Sequence, residues 1–150
     1  MIYLIDASVY VFRAYYSMPP EMTDRDGNPA HAVFGFARFL GDLIERAQPH
    51  YIAVAFDESL KTSFRNQIYP AYKANREPAP EDLKLQFERC REFCLLAGIP
   101  AFAHAEYEAD DIVGSLMTLC RAQGLPATLV TRDKDFAQLN FETTPLVAGL

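Results

Sequence analysis

No run in this 150-residue sequence is both apolar and long enough to cross a membrane. The first apolar run, Ile2 to Ile5, is broken by Asp6 and has no basic flank. Neither a signal peptide nor a membrane anchor fits it, and a cytoplasmic protein is expected. Cysteine is scarce: Cys90, Cys94 and Cys120 stand without a histidine nearby in sequence. That is too few ligands for a zinc knuckle, so reduced, buried thiols are expected. The histidines, His31, His50 and His104, have no convincing catalytic partners in the sequence. The GxSxG, Walker A and GxGxxG patterns are absent, which removes the usual signatures of serine hydrolases, P-loop enzymes and dinucleotide binders. No internal repeat or low-complexity stretch is visible. Base is in deficit, with a net charge of −6, and on the total alone this argues against a polyanionic partner.

Distribution matters more than the total. Residues 61–76 hold Lys61, Arg65, Lys73 and Arg76 and no acid. Residues 106–111 hold Glu106, Glu108, Asp110 and Asp111 and no base. One surface can therefore grip phosphates while another holds cations. Half of the residues are hydrophobic, and the length suits one domain with its own core.

Three short apolar runs, 2–5, 51–56 and 127–131, read as buried strands, and a fourth is expected from Ile99 to Phe102. Helical stripes lie between them: Val33, Phe36, Leu40, Leu43 and Ala47; Leu83, Phe87, Cys90, Cys94 and Ala97; Ile112, Val113, Leu116, Leu119 and Cys120. Gly98 and Gly124 stand where the second and third helices should stop. The polar stretch from Ser17 to Pro29 and the basic, aromatic stretch from Ser59 to Pro80 show no clear period. Strands alternating with helices predict an α/β layer fold around a mostly parallel sheet.

Parallel strands carry their functional end at their carboxyl termini. Asp6, Asp57 and Asp133 each stand at or just past such an end. Any one of them is equally a helix cap or turn residue; three together are harder to explain that way. Glu108, Asp110 and Asp111 precede the third stripe, and Asp135 follows Asp133. Dipole complementation explains one or two acids in a first helical turn, and four less well. Glu108 and Asp110 can converge only if Glu108 precedes the helix or lies at its cap. Seven convergent carboxylates repel strongly without compensation. An oxygen-only donor set with retained waters suits Mg²⁺, with Mn²⁺ as substitute. Two such ions roughly 4 Å apart can serve phosphodiester hydrolysis. A receiver-type phosphoryl-aspartate domain also gathers acids at strand ends, but explains neither EYEADD followed by TRDKD nor the basic segment.

These residues resemble a known family. LIDAS at 4–8, Arg13 in FRAYY, AVFGFARFL at 32–40, VAFDESLKTSFR at 54–65, YKANREPAPEDL at 72–83, YEADD at 107–111 and TRDKDFAQL at 131–139 look like the 5′-nuclease domain at the N-terminus of bacterial DNA polymerase I. They look equally like its stand-alone 5′–3′ exonuclease and flap endonuclease relatives. The resemblance implies a PIN-like (resolvase-like) sheet, two Mg²⁺ ions, and DNA with a 5′ end or 5′ flap as partner. Asp6, Asp57, Glu108 and Asp110 match the first metal's ligands. Asp110, Asp111, Asp133 and Asp135 match the shell of the second. Arg65, Tyr72, Lys73 and Arg76 match catalytic positions. With Arg13, Lys61 and Phe64, they form the expected DNA-binding set. Bases there neutralise phosphates, and Phe64 and Tyr72 can stack on unpaired bases.

The agreement runs from residue 2 to about 140. The helix–hairpin–helix part that follows in the family is not matched by NFETTPLVAGL after Leu139. Residues 1–150 are thus expected to form an N-terminal catalytic domain. Weak binding of the second metal, poor duplex grip and self-association through an unpaired sheet edge are expected with it. Two other readings stay open: a non-catalytic, truncated DNA-binding module and a PIN-type ribonuclease.

Overall fold

The computed structural model describes residues 1–58 and 78–132. Strand β1 (Ile2–Asp6) runs without a loop into helix α1 (Ala7–Ser17). Then come α2 (His31–Ala47), β2 (Tyr51–Ala55), α3 (Glu81–Leu96), β3 (Ala101–Phe102), α4 (Ala109–Ala122) and β4 (Ala127–Val130). The strands form one parallel sheet in the order β3-β2-β1-β4, with Ile5 level with both Val54 and Val130.

Alternation along the strands assigns the two faces. Tyr3, Ile5, Val54, Phe56 and Val130 pack with residues of α1, α2 and α3 into the larger core cluster. Leu4, Ala55 and Leu129 face the other way and pack on Ala109, Val113 and Met117 of α4. Sheet residues two further along than Leu4, Ala55 and Leu129 are Asp6, Asp57 and Thr131. The period-2 rule therefore brings these three polar residues out on the α4 side, at the carboxyl ends of adjacent strands.

Helices end as their sequences dictate. Gly98 and Gly124 adopt φ of +71° and +66° just past α3 and α4, a conformation that costs a glycine little. Helix α2 ends on Gln48 at φ +43°. Its start has no local cap, because Ala30 has no polar side chain. Gln86, fully buried on α3, supplies it: Oε1 accepts the Ala32 N–H at 2.7 Å. Gln86 Nε2 also lies 3.5 Å from His31 Nδ1, and the Tyr15 ring leans on His31. Tyr15 donates its hydroxyl to Asp82 at the start of α3. Among the other histidines, His104 Nδ1 accepts the Glu106 N–H and His50 lies beside the N-terminus. All three histidines thus have structural partners that sequence spacing did not disclose.

The fourth strand covers only Ala101–Phe102, shorter than the expected Ile99–Phe102. Ile99 instead closes α3: its N–H bonds to the Cys94 carbonyl and its side chain joins the core. Cys90 and Cys94 are free and buried, as expected, whereas Cys120 is free and half-buried; burial pushes the Cys94 thiol up to about 12. No described helix is long and apolar enough to cross a membrane.

Helices α1 and α2 meet closely at Gly35, where an added Cβ would lie 2.7 Å from the Ala14 Cβ. Helix propensity alone favours Gly35→Ala by up to about 1 kcal/mol. Overpacking opposes it by about 1–3 kcal/mol. The clash should win: Gly35→Ala lowers the urea midpoint. Gly41→Ala on the same helix meets nothing within 4 Å and should raise it. Parallel urea titrations of the two variants check both signs.

Candidate active site

The carboxyl ends of β1 and β2 and the amino end of α4 meet at one edge of the sheet. Asp6 is the last residue of β1 and the N-cap position of α1, and is 5% exposed. Thr131, just past β4, donates its hydroxyl to Asp6 Oδ2 at 3.2 Å. Burial, then the neighbouring Asp57 charge, push the Asp6 carboxyl up to about 7, against the Thr131 hydrogen bond, and Asp110 adds to the rise. Three acids from three elements therefore share one electrostatic environment.

Asp57 is half-buried beyond β2. Its Oδ1 accepts the Ala109 N–H at 2.7 Å, which ties the first turn of α4 to the end of β2. Its own N–H points at Ser8 Oγ, 3.4 Å away in the first turn of α1. Glu108 is the N-cap of α4, in extended backbone geometry. That is the position from which Glu108 and Asp110 can both turn toward the sheet. Asp110 Oδ1 accepts the Asp111 N–H at 2.7 Å. Asp111 Oδ2 accepts the Glu108 N–H at 3.1 Å, part of a capping box. Asp111 therefore has a structural task at the helix start as well as its expected place near a cation.

Asp6, Asp57, Glu108, Asp110 and Asp111 are thus gathered at one edge. Asp133 and Asp135 lie outside the described residues, as do Lys61, Phe64, Arg65, Tyr72, Lys73 and Arg76. Arg13 is exposed on α1. Among the described residues, no three acids, histidines or cysteines form a ready-made ion cage. Several carboxylate oxygens are turned to backbone N–H groups instead. Sequence reasoning missed Thr131. Its signal was the strand alternation that places it with Asp6 and Asp57.

The donor chemistry fits a hard divalent cation. It is all oxygen, crowded with like charge, and its innermost carboxyl is held short of full ionisation near neutral pH by burial and its neighbours.

Fold and site together define a PIN-like α/β domain with an acidic cluster at the carboxyl edge of its parallel sheet. Residues 1–148 match the 5′-3′ exonuclease N-terminal resolvase-like domain, and the chain belongs to that family. A 5′-3′ exonuclease of Aquifex aeolicus is 37% identical over 146 residues, covering 97% of this chain and 50% of the relative. DNA polymerase I of Streptococcus pneumoniae is 41% identical over 145 residues, covering 94% of this chain and 16% of that protein. The chain therefore spans at most about half the length of these curated relatives. Among solved structures, the T5 D15 protein co-crystallised with metal ions superposes with a TM-score of 0.67 at 20% identity, covering 92% of this chain and 50% of that one. The T5 D15 flap endonuclease in complex with DNA and metal ions superposes at 0.63 and 21% identity, covering 90% and 50%. At these identities the superpositions establish the fold.

Proposed function

We propose that this chain is the catalytic domain, spanning residues 1–150, of a divalent-metal-dependent 5′–3′ exonuclease and 5′-flap endonuclease acting on DNA in the cytoplasm during replication and repair. One observation carries the reading: Asp57, beyond β2, and Asp110, in the first turn of α4, both act on the buried Asp6 at the end of β1, at the sheet edge of a chain belonging to the 5′-3′ exonuclease family. The metal-bound and DNA-bound T5 neighbours support it.

Asp6, Asp57, Glu108 and Asp110 would hold one Mg²⁺, and Asp110, Asp111, Asp133 and Asp135 a second, with Mn²⁺ as substitute. Ions so held supply Lewis-acid stabilisation of charge at the scissile phosphate. The protein's own groups orient the site. Asp57 fixes the start of α4 through Ala109, and Thr131 aims the Asp6 carboxylate. Arg65, Tyr72, Lys73 and Arg76 are assigned to catalysis at the phosphate. With Arg13, Lys61 and Phe64, they also grip the 5′ strand. The other half of a protein as long as the Aquifex relative would add duplex grip. A second copy pairing along the sheet edge is the alternative partner.

The ribonuclease reading differs only in substrate. A 5′-labelled flap in DNA and in RNA, incubated with Mg²⁺ or Mn²⁺, separates the two. Cutting of the DNA flap, abolished by EDTA, is expected. Preferential cutting of RNA would replace this reading.

A further inference from the structure

Tyr10 is a core residue with a hydroxyl that the core does not use. It is 3% exposed, and its ring stacks on Phe39 at 3.8 Å between centroids and 11° between planes. A phenylalanine would make the same stack. The hydroxyl has no hydrogen-bond partner among the described residues. Leaving such a group buried and unpaired is unfavourable, because its hydrogen bond to water is lost and not replaced. Its surroundings are charged rather than apolar throughout: Arg132, Asp6 and Arg13 all act on it. Arg13 lies one turn after Tyr10 on α1, the spacing at which helical side chains are neighbours. Arg132 stands two residues beyond Val130, whose side chain faces the α1 layer, and its charge reaches Tyr10 of that layer. Both guanidinium-bearing residues are exposed. Asp6, Asp57 and Thr131 emerge on the opposite, α4 side.

We infer that Arg132, beside the Arg13 already assigned to strand grip, supplies a further phosphate contact for a nucleic-acid strand on the α1 side of the carboxylates, with the Tyr10 hydroxyl positioning Arg132. Guanidinium is a fork of donors with no acceptor, and phenol oxygen is an acceptor that a phenylalanine lacks. Accepting one N–H of Arg132 would satisfy the buried oxygen and leave the remaining donors for a phosphate, where bidentate geometry is favoured. A strand crossing the sheet edge would then meet the cation-holding acids on one side and these bases on the other. The inference rests on the nuclease reading only for the strand's passage across that edge.

The test uses the whole 150-residue chain and a 5′-phosphorylated oligodeoxythymidylate in Ca²⁺, titrated at several salt concentrations. Arg132→Ala should weaken binding several-fold and lower the slope of log affinity against log salt by about 0.7, the value for one phosphate contact on a single strand. Tyr10→Phe should weaken binding less and add nothing in the Arg132→Ala background. Arg121→Ala, at the far end of α4, should leave the slope unchanged. An unaltered slope in Arg132→Ala, additive effects of the two substitutions, or no binding by the wild type overturns the inference. Flap cleavage by the wild type in Mg²⁺ is scored separately. Cleavage with an unaltered slope sinks only this inference, and the expected slope change without cleavage sinks only the nuclease reading.

Discussion

Asp6→Asn should make the metal-free protein more stable at pH 8, by roughly 2–4 kcal/mol, while abolishing the proposed flap cleavage. The Asp6 carboxyl moves from an ordinary 3.8 up to about 7 because it is buried beside Asp57. The folded state therefore binds a proton that the unfolded state has released between about pH 4 and pH 7. Stability must fall as pH rises across that window, because the unfolded chain gains by ionising in water while the folded chain keeps its buried carboxyl protonated until about pH 7. Asparagine has the same shape, can still accept the Thr131 hydrogen bond, and brings no charge. Urea unfolding in EDTA at pH 5 and pH 8 reads the effect. Wild type should lose stability between the two, and the variant should lose much less. Added Mg²⁺ should restore the wild type at pH 8 and do little for the variant, since a ligand that binds only the folded state stabilises it. A variant as pH-sensitive as wild type, or less stable than wild type at pH 8, would show that Asp6 does not carry this charge burden.

The second large effect belongs to Asp110. It acts on Asp6 from the first turn of α4 and stands in both proposed cation shells. Metal-ion stabilisation of a phosphoryl transition state is worth several kcal/mol. At about 1.4 kcal/mol per factor of ten, losing one ligand should cost on the order of 100-fold or more in cleavage rate. The fold should survive. Asp57 still accepts the Ala109 N–H and Asp111 still accepts the Glu108 N–H, so α4 keeps its anchors. A melting temperature equal to or above wild type, alongside the lost rate, separates a functional role from a structural one.

Much of this was legible in the sequence, for identifiable reasons. The runs at 2–5, 51–56 and 127–131 became β1, β2 and β4 because short, near-continuous apolar runs suit parallel strands buried on both faces. The stripes from Val33, Leu83 and Ile112 became α2, α3 and α4, and Gly98 and Gly124 closed the latter two. Helix α1 was not legible. It follows β1 without a turn residue, and its Val9, Tyr10, Val11 and Phe12 are poor helix formers, so no helical start or stripe stands out there. Tertiary packing decides that segment. Gln86 was equally hidden, since its partner at the start of α2 lies 54 positions away. At the site, spacing required Glu108 to be a cap before it and Asp110 could converge, and Glu108 is the cap. The hydrogen bond by which Asp57 ties itself to Ala109 depends on how α4 meets the sheet, which no local pattern records.

The most direct test is cleavage of a 5′-labelled DNA flap by the purified chain in Mg²⁺ and Mn²⁺, beside Asp110→Asn under the same conditions. Metal-dependent cutting near the 5′ end, lost in EDTA and in the variant, is the expected result. Cutting that survives Asp110→Asn, or an intact folded wild type that cuts no flap in either metal, would contradict the assignment of the acidic sheet edge to phosphodiester hydrolysis.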